Sequence, residues 1–145
     1  MASLDDAVNL RGLREMAGHS QQSLADALGV HVRTVSRWER GVVPVPEDVL
    51  DWLADALDDQ RGLVDRALDI VERLGGTGAV RINYFRSQDE YDATHDDGGN
   101  YGEINAAARQ VAAHLLMLGV PFAFVHEDAE VTIGWEREPI HSTNP

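Results

Sequence analysis

The feature that most constrains this chain is a pair of short helical segments, residues 21–28 and 32–39, that meet at Gly29. Glycine adopts left-handed backbone conformations that other residues disfavour, so it permits a tight turn between two helices. Ala25 is small where the two helices would cross closely. The pattern therefore predicts two packed helices, whose inward-facing apolar side chains are Val30, Val35 and Trp38.

The second of these helices carries cationic side chains on its outward face. Arg33 and Arg37 lie four residues apart and so share one helix face, as do Ser36 and Arg40. An α-helix fits the major groove, where a guanidinium group can donate two hydrogen bonds to O6 and N7 of guanine. On these residues alone an ordinary solvated face stays open as the alternative, and it is the surrounding sequence pattern that favours DNA reading.

Residues 8–57 resemble the helix-turn-helix of the phage-repressor (Cro/cI, or XRE) family, through LRGLREMAG, SQQSLADALGV and RTVSRWERG. A proline-containing loop and another amphipathic helix follow these segments. The resemblance implies that Arg14 and Glu39 form a buried salt bridge, which would neutralise Glu39 near DNA. It also implies a set of DNA contacts: a phosphate contact by Gln21, base reading by His31, Val32, Arg33 and Arg37, and supporting contacts by Ser36 and Arg40.

The charge balance limits how such a protein can bind. The chain has 25 acidic residues and 12 basic residues, and every basic residue is Arg. Its formal net charge is −13. This argues against a protein that coats nucleic acid or anionic membranes nonspecifically. We expect a specific DNA binder that uses a localised basic face and has weak nonspecific affinity.

The periodicity of apolar residues predicts the fold class α+β. The first part is an all-α five-helix helix-turn-helix domain. Its first helix ends near residue 17, and the other four cover residues 21–28, 32–39, 47–57 and 60–74. A glycine-rich run at residues 75–78 reads as a linker. A small α+β domain of one strand, a long helix and two strands follows, at residues 80–85, 101–118, 121–126 and 130–135. The predicted domains are thus 1–74 and 79–137, with a flexible tail at 138–145, and the acidic segment 87–100 is left open between a turn and a short helix.

The second half looks like the C-terminal region of the YdiL-like repressors, which include anti-CRISPR-associated regulators. The likeness rests on an aromatic-ended strand, an acidic segment and the helix NAAARQVAAHLLMLG. It implies a homodimer that often represses its own operon. Two half-sites roughly 34 Å apart also favour a dimer. Two apolar stripes are candidate dimer surfaces: one on helix 60–74, and one formed by Ile104, Val111, Leu115 and Leu118. For either stripe the alternative is intramolecular core.

The sequence lacks the residues or motifs that several kinds of catalytic or metal-binding site require. The chain has no cysteine, which excludes disulfides, thiolate nucleophiles and cysteine-based metal sites. A calcium-loop pattern from Asp92 to Glu103 has Asp97 where glycine is needed. No zinc-type histidine spacing, catalytic motif or cofactor motif is visible, so we expect neither an enzyme nor a metal or cofactor.

The sequence predicts a cytoplasmic repressor that associates with the nucleoid when bound, since no secretory signal or membrane-spanning run is visible. Its partners would be an inverted-repeat DNA operator and a second copy of itself, in a phage, a prophage or a chromosomal setting. The alternative is an antitoxin-like or regulatory module whose C-terminal domain binds a protein or a small molecule. A small-molecule site would need a pocket near Tyr84, Phe85, Tyr91 and Phe122.

Overall fold

The structure, a computed structural model, describes residues 3–75 and 78–134. Within these residues the chain forms six α-helices and one two-stranded parallel sheet, which is an α+β composition. The elements in chain order are α1 (Leu4–Ala17), α2 (Gln21–Leu28), α3 (Val32–Glu39), α4 (Glu47–Leu74), β1 (Val80–Asn83), α5 (Gln88–Thr94), α6 (Tyr101–Leu118) and β2 (Phe122–Val125).

The chain divides into two compact units, Met1–Gln60 and Arg61–Pro145, and the boundary falls inside α4. Val49 and Leu53 of α4 belong to the core of the first unit, whereas Leu63 and Ala67 belong to the core of the second. The predicted division at residues 75–78 describes where the helices give way to the sheet. The division into the independently folding domains 1–74 and 79–137 stays a prediction. The predicted tail at 138–145 lies outside the described residues.

Short-range capping contacts set the ends of the first helices. The hydroxyl oxygens of Ser3 and Ser20 accept hydrogen bonds from backbone N–H groups three residues further on, at 3.2 and 3.0 Å. These contacts satisfy N–H groups that a helix start leaves without an intrahelical partner. The predicted end of α1 at residue 17 and the predicted bounds of α2 and α3 are confirmed.

The predicted break between helices 47–57 and 60–74 is wrong, because α4 is a single helix of 28 residues. The intervening Asp58 and Asp59 are polar, but neither glycine nor proline is present to interrupt the backbone hydrogen bonds. Gln60 is buried, and its side-chain Nε2 donates to the backbone carbonyl of Met16 at 2.8 Å. A polar residue that the sequence placed at a helix start therefore lies within a continuous helix.

In the second unit, β1 pairs in parallel with β2, with Val80 opposite Phe122 and Asn83 opposite Val125. The predicted strand at 130–135 is reduced to one parallel bridge between Ile82 and Val131 among its described residues. The reason lies in Asn83, whose side-chain amide donates to the carbonyl of Ile133 at 3.0 Å and accepts from its N–H at 2.8 Å. This side chain takes the place of further backbone pairing. Within the segment 87–100, which the sequence left open, Gln88–Thr94 form α5, and Ser87 caps it.

The apolar face of α6 lies in the core of the second unit. Ile104, Val111 and Leu115 are at most 1% exposed and pack with β1 residues such as Ile82. Leu118, in contrast, is 65% exposed. A side chain buried within its own chain is not available to a second copy. Three of the four predicted dimer residues therefore form intramolecular core, and so do Leu63 and Ala67 of the 60–74 stripe.

Candidate nucleic-acid interface

Gly29 sets the turn between α2 and α3. Its φ of 69° lies in the left-handed region, where a residue with a Cβ atom is strained. The N–H of Val30 donates to the carbonyl of Ala25 at 3.0 Å, which closes the end of α2. Ala25 itself is fully buried. The turn is therefore defined by local backbone geometry and by a small residue in the core of the first unit.

α3 has two chemically different faces. Val35 and Trp38 are buried, at 0% and 5% exposure, in the core of the first unit. Arg33, Arg37 and Arg40, the last of which follows the helix as its C-cap residue, are exposed. Val32 and Ser36 are half-buried on the same helix. Packing of the apolar face thus fixes which side of α3 carries the guanidinium groups.

The three exposed guanidinium groups have no acidic partner in the described part of the chain. No carboxylate of residues 3–75 or 78–134 forms a salt bridge with Arg33, Arg37 or Arg40. Arginine presents five N–H donors in a planar fork that matches phosphate and the O6/N7 edge of guanine. These donors can bind a ligand without first breaking an internal ion pair.

His31 is the N-cap of α3. Its Nδ1 accepts a hydrogen bond from the backbone N–H of Arg33 at 3.0 Å. A ring nitrogen that accepts is unprotonated, so in the neutral ring Nε2 carries the hydrogen and can donate outward. The sequence-based reasoning assigned His31 to base reading and missed this capping role. The signal was its polar side chain directly before the first helical residue.

Arg14 and Glu39 form a bidentate salt bridge that ties the end of α3 to α1. Arg14 Nε lies 2.6 Å from Glu39 Oε2, and its Nη2 donates to Oε1 at 3.0 Å. Arg14 Nη1 also donates to the backbone carbonyl of His19 at 2.9 Å. The two side chains are only 11% and 5% exposed. The negative charge of Glu39 is therefore compensated inside the unit and does not face outward alone.

Gln21, at the start of α2, extends this network. Its Nε2 donates to Glu39 Oε1 at 3.2 Å, and the residue is half-buried. One of its two amide hydrogens is thereby used within the unit. A phosphate contact by Gln21 would use the other hydrogen, with the side chain already oriented by the salt bridge. Sequence spacing could not reveal this contact, because it joins residues of different helices.

The acidic residues of the first unit mostly lie on other elements. Those that flank the reading motif are exposed and belong to α1 or α4: Asp5, Asp6, Glu47, Asp48, Asp51 and Asp55. On α2, Asp26 accepts a hydrogen bond from Gln22 Nε2 at 2.9 Å. α3 carries a single acidic residue, Glu39, which is the partner of Arg14. The positive charge is thus concentrated on one helix of an otherwise acidic unit.

Residues 7–67 match a protein-family model described as a helix-turn-helix domain. The match begins within α1, contains α2 and α3, and ends within α4. No curated protein matches the sequence. A domain of this kind points to a DNA-binding regulator, which agrees with the geometry of α3.

Residues 3–75 and 78–134 contain no group of three or more histidine or acidic side chains arranged to hold a metal ion. No helix there is long and apolar enough to cross a membrane.

Proposed function

We propose that this protein is a sequence-specific transcriptional repressor that binds an inverted-repeat operator as a homodimer and represses its own promoter. The observation that carries the proposal is the division of α3 into a buried face and a face of guanidinium groups that form no salt bridge with any described carboxylate. An α-helix of this kind fits the major groove, where bidentate arginine contacts discriminate guanine from other bases.

In this mechanism α3 enters the major groove, and Arg33 and Arg37 donate to base edges. Ser36 and Arg40 contact phosphates or neighbouring bases, and Gln21 donates its second amide hydrogen to a backbone phosphate. His31 contributes through Nε2 while its Nδ1 holds the start of the helix. Val32, at the first position of α3, offers an apolar contact to a base such as the thymine methyl group.

The acidic remainder of the chain shapes how the repressor would bind. A net charge of −13 repels phosphates wherever α3 does not approach them. Nonspecific affinity depends almost entirely on phosphate neutralisation, so it would be weak and would decrease further with salt. Specific affinity also draws on base contacts, so the ratio of specific to nonspecific binding is expected to be large. Repression would follow because the bound protein excludes polymerase from the promoter.

A homodimer is proposed because one short reading helix covers only a few base pairs. Two half-sites related by two-fold symmetry double the contact area and define the spacing of the operator. The apolar surface that supports self-association is the end of α6, where Leu116, Met117 and Leu118 are 69%, 86% and 65% exposed. This surface replaces the predicted one, of which only Leu118 remains accessible.

The proposal is tested by a footprint on the DNA directly upstream of the protein's own gene. We expect protection of two inverted half-sites whose centres are roughly 34 Å, or a multiple of that distance, apart. A fragment with one scrambled half-site serves as the control and should lose most of the protection. Protection of one isolated half-site would contradict the homodimer. The absence of any protected sequence upstream would contradict autoregulation.

A further inference from the structure

The second unit contains a cavity that DNA binding does not explain. Its volume is about 380 Å³, which lies within the range of roughly 300–1,000 Å³ that is usual for small-molecule sites. It is bordered by the end of β1, by α5 and by the segment that follows β2. The residues that matter for its chemistry are Phe85, Glu90, His95, His126, Glu127 and Asp128.

One wall of the cavity is aromatic and held in place by ring contacts. The rings of Phe85 and His95 meet edge to face, with centroids 5.5 Å apart. His95 also stacks on the buried ring of Tyr91 at 4.4 Å, with 9° between the planes. Ala93 and Ala129 add small apolar side chains to the lining. An apolar or aromatic body would thus find a preformed surface.

The ionisable lining is acidic. Glu90, Glu127 and Asp128 contribute three carboxylates, and no arginine is among the described residues that line the cavity. His126 Nδ1 lies 3.2 Å from Glu90 Oε1, and its Nε2 lies 3.7 Å from Glu127 Oε1. Arg86 compensates Glu90 through a contact of 2.8 Å, so the negative charge of the described lining comes mainly from Glu127 and Asp128. Such a lining attracts a cation and repels an anion.

Glu90 is the most enclosed of these carboxylates, with 14% of its side chain exposed. Its Oε2 accepts from Arg86 Nε at 2.8 Å, and its Oε1 accepts from the backbone N–H of Arg86 and interacts with His126. The side-chain hydrogen bond from Arg86 holds the pKa of Glu90 below its ordinary value, so the carboxylate stays ionised. A carboxylate offers about four acceptor positions, which leaves one on Oε2 for a ligand.

We propose that this cavity binds a small organic amine in its cationic form, with the ammonium group at Glu90 and an apolar or aromatic body against Phe85 and His95. Glu127 and Asp128 add negative potential at the rim. The site goes beyond the proposed DNA-binding function, since it lies wholly within the second unit.

The charge preference is tested on the full-length protein with three probes of similar shape and different charge. Phenethylamine is the cation, 2-phenylethanol the neutral analogue and 3-phenylpropionate the anion. Backbone amide NMR spectra are recorded during titration with each probe, and the amide signals of Thr94, His95, Ala129 and Thr132 are followed. These residues line the cavity.

We expect the amine to shift these signals saturably and to bind about tenfold more tightly than the alcohol, because a hydrogen bond between charged groups is stronger than one from a neutral hydroxyl. The anion should bind most weakly. Failure of the amine to shift these signals saturably, or equal affinity for amine and alcohol, would overturn the proposal. Neither outcome involves DNA, so the repressor proposal is tested separately.

A pair of variants assigns the preference to Glu90. Glu90→Gln keeps the size of the side chain but removes the charged contact with the ammonium group. It should therefore reduce the amine-to-alcohol preference to about one. Asp89→Asn removes a neighbouring exposed charge on α5 that does not line the cavity and should leave the preference unchanged. An unchanged preference in a folded Glu90→Gln variant would overturn the assignment. If that variant does not fold, the comparison of probes on the unmodified chain still decides the proposal.

Discussion

At the scale of single residues, the candidate interface depends on which arginines are paired and which are not. Arg14 is committed to Glu39 inside the first unit, whereas Arg33 and Arg37 project from α3 without a described acidic partner. The same residue type thus has two roles within the first unit. Arginine suits both, because its fork can bind a carboxylate or a guanine edge with two parallel hydrogen bonds.

Replacement of the exposed arginines tests their assignment to base reading. We expect Arg33→Ala and Arg37→Ala each to cost about 1–3 kcal/mol of specific binding, measured by fluorescence anisotropy on the operator. Arg11→Ala is the matched control, since Arg11 is exposed on α1 and pairs with Glu15. Full operator affinity in both α3 variants would contradict the assignment of α3 as the reading helix.

His31 allows capping and DNA contact to be separated. His31→Ala should lower the free energy of unfolding by about 0.5–2 kcal/mol, because the N–H of Arg33 loses its acceptor. His31→Ser supplies a new capping oxygen and should recover most of this stability in urea denaturation. If operator affinity falls in both variants alike, the ring also contacts DNA. Equal stability of the alanine variant and the unmodified chain would contradict the capping role.

At the scale of elements, the main difference between the predicted and the observed helices lies in α4. The helices predicted from the sequence, 47–57 and 60–74, are divided at Asp58 and Asp59, but a polar pair does not stop a helix unless its backbone hydrogen bonds are lost. The contact between Gln60 and the carbonyl of Met16 spans 44 positions of sequence. It also satisfies a carbonyl at the C-terminal end of α1, which the helix itself leaves without a partner.

A proline scan of α4 tests its continuity. Asp59→Pro should destabilise the protein by about 3 kcal/mol or more, because Asp59 lies inside a continuous helix. Glu47→Pro is the control: residue 47 is the first of α4, where the N–H group has no intrahelical partner, so proline is tolerated. Both changes are followed by circular dichroism during urea denaturation. Similar small effects at both positions would contradict a continuous helix.

At the scale of the whole molecule, the two units differ in the candidate sites that they contain. The first unit carries the guanidinium face and most of the helix-turn-helix match, which continues to residue 67, and the second carries the acidic cavity and the exposed end of α6. The large negative charge belongs to both units. This charge would favour discrimination between the operator and nonspecific DNA over high affinity for DNA in general, because it weakens every contact that relies on phosphates alone.

The oligomeric state tests the role assigned to the end of α6. Met117→Asp places a charge at the most exposed residue of that surface, and we expect the molar mass measured by light scattering to fall to that of one chain. Met16→Asp, at an exposed position of α1, is the control and should leave the mass unchanged. A dimer that persists in Met117→Asp would place the self-association surface elsewhere. A monomeric unmodified chain would contradict the homodimer itself.

The features that the sequence by itself determined are those that depend on neighbours within about four positions. The caps at Ser3 and Ser20, the turn at Gly29 and the bounds of α2, α3 and α6 all follow from such local signals. The face of α3 that carries Arg33 and Arg37 follows from helical periodicity in the same way.

Other features were decided only by tertiary structure, because they rest on contacts between distant residues. Asn83 reaches Ile133, 50 positions away, and so replaces the expected third strand by a single bridge. The apolar stripe of α6 could have faced a partner or its own core, and packing with β1 assigned it to the core. The cavity around Glu90 likewise joins β1, α5 and the segment after β2, and periodicity within any one of them does not encode it.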